Sequence, residues 1–308
     1  MRCARPRASL LLNYQVVELN TPIRLLAIDI DGTLLNTSFQ VSHENISALR
    51  RAHEYGVEIV LVTGRRHTFA MPIAQLLGFD LWLISSNGAV TRSLRGDMFH
   101  RDLLPVATAL EVCRQMEEFR GHIVFTFDRE GKGALALERT DQLTNSIQKW
   151  LEKNMQYVEF VVPIEKCLVT DPVQAMFCGN IETMMRAEER LRAAHLAGRI
   201  TVLKTRYDFR DLSIVDVLNA GCSKGHALER WARHRGLRRE QVMAIGDNYN
   251  DVEMLEFAGV PVIMENACDE LKQNGWTVTR SNNESGVAAA VEHLIFGNAV
   301  LTGSKSSG

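Results

Sequence analysis

From Ile23 onward the chain alternates short apolar runs with stretches whose apolar positions recur at helical spacing. "RLLAIDI" (24–30), "VEIVLVTG" (57–64) and "LWLISSNG" (81–88) read as strands, and residues 43–55 and 67–77 between them read as helices. Runs this continuously apolar belong to strands covered on both faces, which predicts an α/β architecture built on a doubly wound parallel sheet. Three polar turns follow these strands: Asp29 to Thr33, Thr63 to Arg65, and Asn87 with Gly88. In an open sheet of this kind the edge carrying the strand C-termini is where ligands bind.

Past Val90 the rhythm changes. A short strand near "DMFHRD" precedes a helix over 105–119, strands at "HIVFTF" and "GALALE", a helix over 141–154 and a strand at "YVEFVV". "PVQAMFCG", a helix over 182–195 and "RITVLKT" repeat the theme. We read this as an inserted α/β domain over 93–210 with a core of its own. The first rhythm returns with "LSIVDVL", a helix over 224–235, "QVMAIGD", a helix over 250–257, "VPVIM" and "WTVTR", so that 22–92 and 211–297 form one domain. Residues 1–21 read as a disordered extension and 298–308 as a flexible tail.

Composition narrows the function classes. Hydrophobic residues at 46% and charged residues at 23% are globular values. A formal net charge of -2 gives no overall pull toward nucleic acid or a membrane surface, and the basic run "RGLRR" (235–239) has no interleaved aromatics and reads as a solvated helix end. No stretch approaches a membrane span, and the basic start lacks a convincing cleavage site. The six cysteines, at 3, 113, 167, 178, 222 and 268, form no C-x-x-C pair or zinc spacing and read as free thiols of a cytoplasmic protein. Cys222, close to the suspected chemistry, reads as a buried filler rather than a nucleophile.

The strand "LLAIDIDGTLL" ends on two acids, Asp29 and Asp31, that repel each other and call for a positive partner. Asp-Gly is also a hairpin signal, so "DIDGT" alone fits a plain turn before a second strand. Three further clusters accompany it: "VTGR" with Thr63, "GCSKGHAL" with Lys224 at a helix start, and "AIGDNYND" with Asp247 and Asp251. Each alone is an ordinary turn or cap. Together and in this order they resemble the four motifs of the haloacid dehalogenase (HAD) superfamily, over residues 24 to 296.

That resemblance implies a Rossmann-like core and an Mg²⁺-dependent phosphoryl-transfer site. Asp29 is the expected nucleophile, forming an aspartyl-phosphate, and Asp31 the acid that protonates the leaving alcohol and then takes a proton from water. Ile30, Thr63, Gly64, Lys224 and Asn250 are expected at the phosphate, Lys224 with the added favour of a helix N-terminus. Asn250 alternatively orients Asp29. Asp29, Asp247 and the main-chain carbonyl of Asp31 are expected at the metal, with Asp251 acting mainly through its neighbours. Arg65, Asn87, Gly88 and Arg206 are substrate candidates, Arg206 with Tyr207, Asp208 and Arg210 in "KTRYDFRD". Arg65 reads equally as the end of a turn, Asn87 and Gly88 as a plain Asn-Gly turn, "KTRYDFRD" as a solvated linker, and His67 as an exposed helix residue.

The position of the insert, between the Thr and Lys motifs, resembles the C2-type cap, and "VTGRRHTFAMPIAQLLGFDLWLISSNGAV" with "SKGHAL" is most similar to Cof-type hydrolases. The expectation is a phosphatase acting on a small phosphorylated metabolite, a sugar phosphate or similar, with no nucleic-acid or membrane partner. A phosphomutase on the same core and cap, or a sugar-phosphate-binding protein without turnover, are the alternatives.

Overall fold

The computed structural model describes residues 22–196 and 198–297, so the expected extension and tail lie outside the described residues. In chain order the strands are β1 (Leu25–Ile28), β2 (Glu58–Val62), β3 (Trp82–Ser85), β4 (Val90–Ser93), β5 (Met98–Arg101), β6 (Ile123–Thr126) and β7 (Leu135–Leu137). They continue as β8 (Val158–Phe160), β9 (Gln174–Gly179), β10 (Ile200–Tyr207), β11 (Leu212–Asn219), β12 (Val242–Gly246), β13 (Val260–Met264) and β14 (Thr277–Thr279).

An eight-stranded sheet runs in the order β14-β13-β12-β1-β2-β3-β4-β5, and a six-stranded sheet in the order β10-β11-β9-β6-β7-β8. The first is parallel from β14 to β3 and covered on both faces, the doubly wound core that the apolar runs predict. One face packs Leu26, Ile28, Ile59 and Leu61 on helix His43–Glu54 and helix Gly286–Leu294. On the other face Leu25, Ala27, Val60 and Val62 meet Leu228 and Trp231 of helix Lys224–His234. Ser42 and Ser223 start two of these helices, each accepting a backbone N–H with its hydroxyl. Truncating a side chain as large and buried as Trp231 to alanine costs about 3–5 kcal/mol. Helix Gly286–Leu294 was not foreseen from the pattern.

The crossings between sheets lie elsewhere than residues 93 and 210. The segment 90–101 forms antiparallel β4 and β5 on the edge of the eight-stranded sheet, because a tight turn at 94–97 returns β5 onto β4. Likewise β11, read as the chain's return to the first domain, pairs with β10 and β9 in the six-stranded sheet. The reason is local: Asp211, in the left-handed region at φ 43, reverses the chain after Asp208–Arg210 and lays β11 back on β10. The chain therefore leaves the larger sheet after Arg101 and returns after Asn219.

The six-stranded sheet obeys the two-residue period of a strand. Ile123 and Phe125 of β6 and Phe177 of β9 point to helices Val106–Gln115 and Ile181–Ala193. Val124, Leu135 and Cys178 point the other way, with Ile147 of helix Asn145–Lys153, toward the larger sheet. Several contacts tie the two sheets together. Arg66 Nη2 donates to the carbonyls of Phe127 and Arg129 at 3.0 and 2.7 Å. Asn248 accepts from Arg206 N at 3.1 Å and donates to Arg206 O at 2.9 Å.

Candidate active site

Register assembles the site. Ile28 stands opposite Ile245 on one side and Leu61 on the other, so Asp29, Asp247 and Thr63, each just past its strand, emerge at one edge. Asp29 N donates to Ile245 O at 3.0 Å and Thr63 N to Ile84 O at 2.8 Å, fixing both backbones. Two glycines let the polar turns come this close. Gly32, at φ +87, has Asp247 where a Cβ would project, and Gly88, at φ +104, has the Ser223 carbonyl there.

The positive partner that the two acids demand is divided between two cations. Lys224, 1% exposed, places Nζ 2.6 Å from Asp29 Oδ1 and 2.6 Å from Asp251 Oδ1. Arg65 forks onto Asp31 instead, Nε to Oδ2 at 2.6 Å and Nη2 to Oδ1 at 2.5 Å. Burial pushes the Asp29 carboxyl up to about 8 against the pull of Lys224, with Asp251 and Asp31 adding to the rise. Asp247 is raised well above the carboxylate range, by burial first and then by Asp29 and Asp251. Burial works against the Lys224 charge, but Asp251 and Asp29 outweigh it and hold its pKa above the lysine range.

These residues suit a hard divalent cation. Carboxylate oxygens of Asp29, Asp247 and Asp251 all lie within 4.8 Å of one another. Asp251 is the most committed of them: Oδ1 takes Lys224 and Oδ2 takes the backbone N–H groups of Asp247 and Asn248, both at 3.0 Å. Asp247 Oδ1 accepts from Thr33 Oγ1 at 2.7 Å. Among the described residues, Asp29 and Asp247 each keep Oδ2 without a hydrogen bond. Ionised together, the four carboxylates would outnumber Lys224 and Arg65, so the edge hosts a phosphate dianion poorly until a cation joins it. All-oxygen ligands of this kind suit Mg²⁺.

The remaining expected residues fall into place around this edge. Asn250 Nδ2 donates to Asn87 Oδ1 at 2.9 Å, and Asn87 Nδ2 to Asp216 Oδ2 at 2.9 Å. Asn87 thus sits at φ 54 inside a buried relay, with more partners than a plain Asn-Gly turn would have. Gly64 backs directly onto Asn87. Thr63 Oγ1 accepts from Arg65 N at 3.1 Å. Ile30 buries its side chain and accepts Leu35 N with its carbonyl at 2.9 Å. Arg206 turns its guanidinium to Asp208, Nε to Oδ1 at 2.7 Å, while its backbone is held by Asn248. His67 is half-buried rather than exposed, and burial together with Arg92 pushes its pKa down to about 4. Cys222 is buried and its thiol is pushed up to about 12 by that burial, as suits a filler.

Sequence reasoning missed Asn248, Thr33 and Asp216. The first two lie inside motifs already singled out. Asp216 lies alone in the strand "LSIVDVLN", where a single acid resembles any solvent-facing position. It is instead buried, takes Gln174 Nε2 at 3.1 Å besides Asn87, and is raised to about 7 by burial, with Asn87 and Lys224 pulling the other way.

A cavity of about 790 Å³ opens from Asp29, Asp31 and Asp247 toward the six-stranded sheet, reaching Phe69, Leu135, Trp150, Met176 and Ile214. Its size falls in the range of roughly 300–1,000 Å³ typical of small-ligand sites.

A family model described as haloacid dehalogenase-like hydrolase matches residues 26–291. Phosphatase YwpJ of Bacillus subtilis is 30% identical over 294 residues, which cover 89% of this chain and 100% of that protein. The 5-amino-6-(5-phospho-D-ribitylamino)uracil phosphatase YwtE of the same organism is 29% identical over 305 residues, 89% of this chain and 99% of that one. A solved haloacid dehalogenase-like hydrolase from B. subtilis superposes with a TM-score of 0.74 at 27% identity, covering 88% of this chain and 100% of its own.

Proposed function

The chain belongs to the haloacid dehalogenase-like hydrolases, as a Cof-type member, and on that premise we propose that it is an Mg²⁺-dependent phosphatase of small phosphorylated metabolites. The observation that carries the reading is the placement of Asp29, buried between Lys224 and Asp247 at the C-terminal edge of a rigid parallel sheet. Phosphate-ester hydrolysis is among the slowest uncatalysed reactions, and catalysis is mainly positioning and charge neutralisation.

In the proposed sequence an Asp29 oxygen attacks phosphorus as the bond to the substrate alcohol breaks. The departing oxygen takes the proton of the Asp31 carboxyl, leaving an aspartyl-phosphate. Water then loses a proton to Asp31 while its oxygen attacks phosphorus, and the bond to Asp29 breaks to release phosphate. Lys224 aims Asp29 and opposes the rise that burial imposes on its pKa, and Thr63 and Gly64 offer a hydroxyl and a backbone N–H to the phosphoryl oxygens. Arg65 has to release Asp31 for the proton transfers, and an incoming phosphate is the competing anion for its guanidinium. Asp29 and Asp247 would hold the metal, with Asp251 fixing the Asp247 backbone; when bound, the cation supplies charge neutralisation between the anionic nucleophile and the anionic ester. The second, inserted domain over the smaller sheet is proposed to close on the substrate alcohol.

The test is release of inorganic phosphate from a panel of monoesters, with Mg²⁺ and with a chelator. Metal-dependent release is expected. Isomerised ester without free phosphate points to a mutase, and binding without either reaction to a non-catalytic protein.

A further inference from the structure

The cavity has a second end, where helix Asn145–Lys153 contributes Ser146, Lys149, Trp150 and Lys153 and the smaller sheet contributes a mostly apolar face. Strand alternation turns Val124 and Thr126 of β6, Met176 of β9, and Ile214 and Asp216 of β11 toward it. Of these only Thr126 and Asp216 are polar, and both carboxylate oxygens of Asp216 are already taken by Asn87 and Gln174. A polyol seated against this face would leave hydroxyls unpaired. Aromatic side chains border the same region: Phe69 meets Trp150 edge-on at 5.2 Å between ring centres and Tyr157 likewise at 5.2 Å. Trp150 is 38% exposed and lines the cavity, so part of its ring is open to a ligand.

Among the described residues, two side chains lining the cavity hold a buried polar atom with no hydrogen-bond partner. Arg66, 8% exposed, spends Nη2 on the carbonyls of Phe127 and Arg129, and its Nη1 has no acceptor. Thr126 Oγ1 is the other, on a side chain with no exposed surface. Donors buried this way call for an acceptor from outside the chain.

We propose that the cavity selects phosphate monoesters whose alcohol carries a planar, mostly apolar ring with a hydrogen-bond acceptor at its edge, in preference to sugar phosphates. The ring lies against Trp150 and the apolar face of the smaller sheet, and its acceptor meets Arg66 or Thr126. This rests on the phosphatase reading and sharpens it to a substrate class.

The experiment compares naphthalen-2-ylmethyl phosphate and quinolin-2-ylmethyl phosphate with glucose 6-phosphate. All are esters of a primary alcohol, so leaving-group chemistry is closely matched. Phosphate release with Mg²⁺ is expected to give a kcat/KM at least about tenfold higher for the ring esters, the scale a well-filled apolar pocket supports. Trp150→Ala should shrink that ratio through a higher KM for the ring esters, and Trp150→Phe should restore most of it. Equal or faster hydrolysis of glucose 6-phosphate overturns the inference and leaves the phosphatase reading intact. No phosphate from these or from acetyl phosphate, in folded protein, overturns the phosphatase reading instead. Equilibrium binding of the same three esters to Asp29→Asn protein then decides the ring preference without turnover: tighter binding of the ring esters upholds it, and equal or weaker binding rejects it.

Discussion

The two sheets face one cavity and furnish it in opposite ways. At the C-terminal edge of the larger sheet the side chains are acids, a lysine and hydroxyls, bound to one another by short hydrogen bonds over backbone turns that only glycine permits. On the facing side of the smaller sheet they are valine, leucine, methionine and isoleucine with aromatics beside them, set by strand alternation. On the proposed reading the first arrangement serves the phosphoryl group, which every substrate of a phosphatase shares, and the second meets the part that differs between substrates. Chemistry and choice would then be carried by separate surfaces, and substitutions on each should leave separate signatures.

Asp29→Asn should lower phosphate release from every ester by the same factor, on the order of 10⁴ or more, as for loss of an enzyme nucleophile. A loss confined to some esters would dissolve the division between the surfaces. Asp31→Asn should cost about 10² to 10⁴-fold on alkyl esters, the scale of general acid catalysis. For p-nitrophenyl phosphate, whose leaving group departs without a proton, the loss should be smaller; an equal loss would remove the acid role. Asp216→Asn tests the contact between the surfaces. Because the folded-state pKa of Asp216 is raised from 3.8 to about 7, the folded protein holds a proton that the unfolded chain releases, and stability falls as pH rises through that window. The variant should escape this, becoming more stable relative to wild type between pH 4 and 7 by at most about 4 kcal/mol, read as a growing difference in Tm. Gln174 can turn its unpartnered Oε1 to the new amide. A constant difference would mean that Asp216 does not titrate there. Mg²⁺ added to metal-free protein should raise stability by about 2.7 kcal/mol at a hundredfold excess over Kd, and Asp247→Asn should remove the shift. Trp150→Ala should keep it, since Trp150 is not one of the carboxylates gathered at the acidic edge.

The candidate catalytic edge was far more legible in the sequence than the opposing face. Asp29, Asp31, Thr63, Lys224 and Asp247 follow strands or open helices within short contiguous motifs, and parallel register brings such positions together without further information. The smaller sheet offers no such marker. "LSIVDVLN" is as apolar as a strand of the larger sheet, and its partner is decided by the reversal at Asp211 rather than by its own residues. For the same reason the segment 90–101 reads as the start of an insertion although it extends the larger sheet. Asp216 became visible only once its strand had a sheet and a face, and Arg65, a substrate candidate from the sequence, showed its pairing with Asp31 only in the structure.

The alternation along β6 and β9 has one more consequence. Ile123, Phe125 and Phe177 are anchored among helices on one side, while their immediate neighbours Val124, Thr126, Met176 and Cys178 look into the cavity. Each strand thus spells two interleaved texts, one facing the helices and one facing the cavity. The second text is itself partly structural, since Val124 and Cys178 are packed in a buried cluster and Thr126 has no exposed surface, so among these four letters Met176 is the one freest to change without disturbing the architecture.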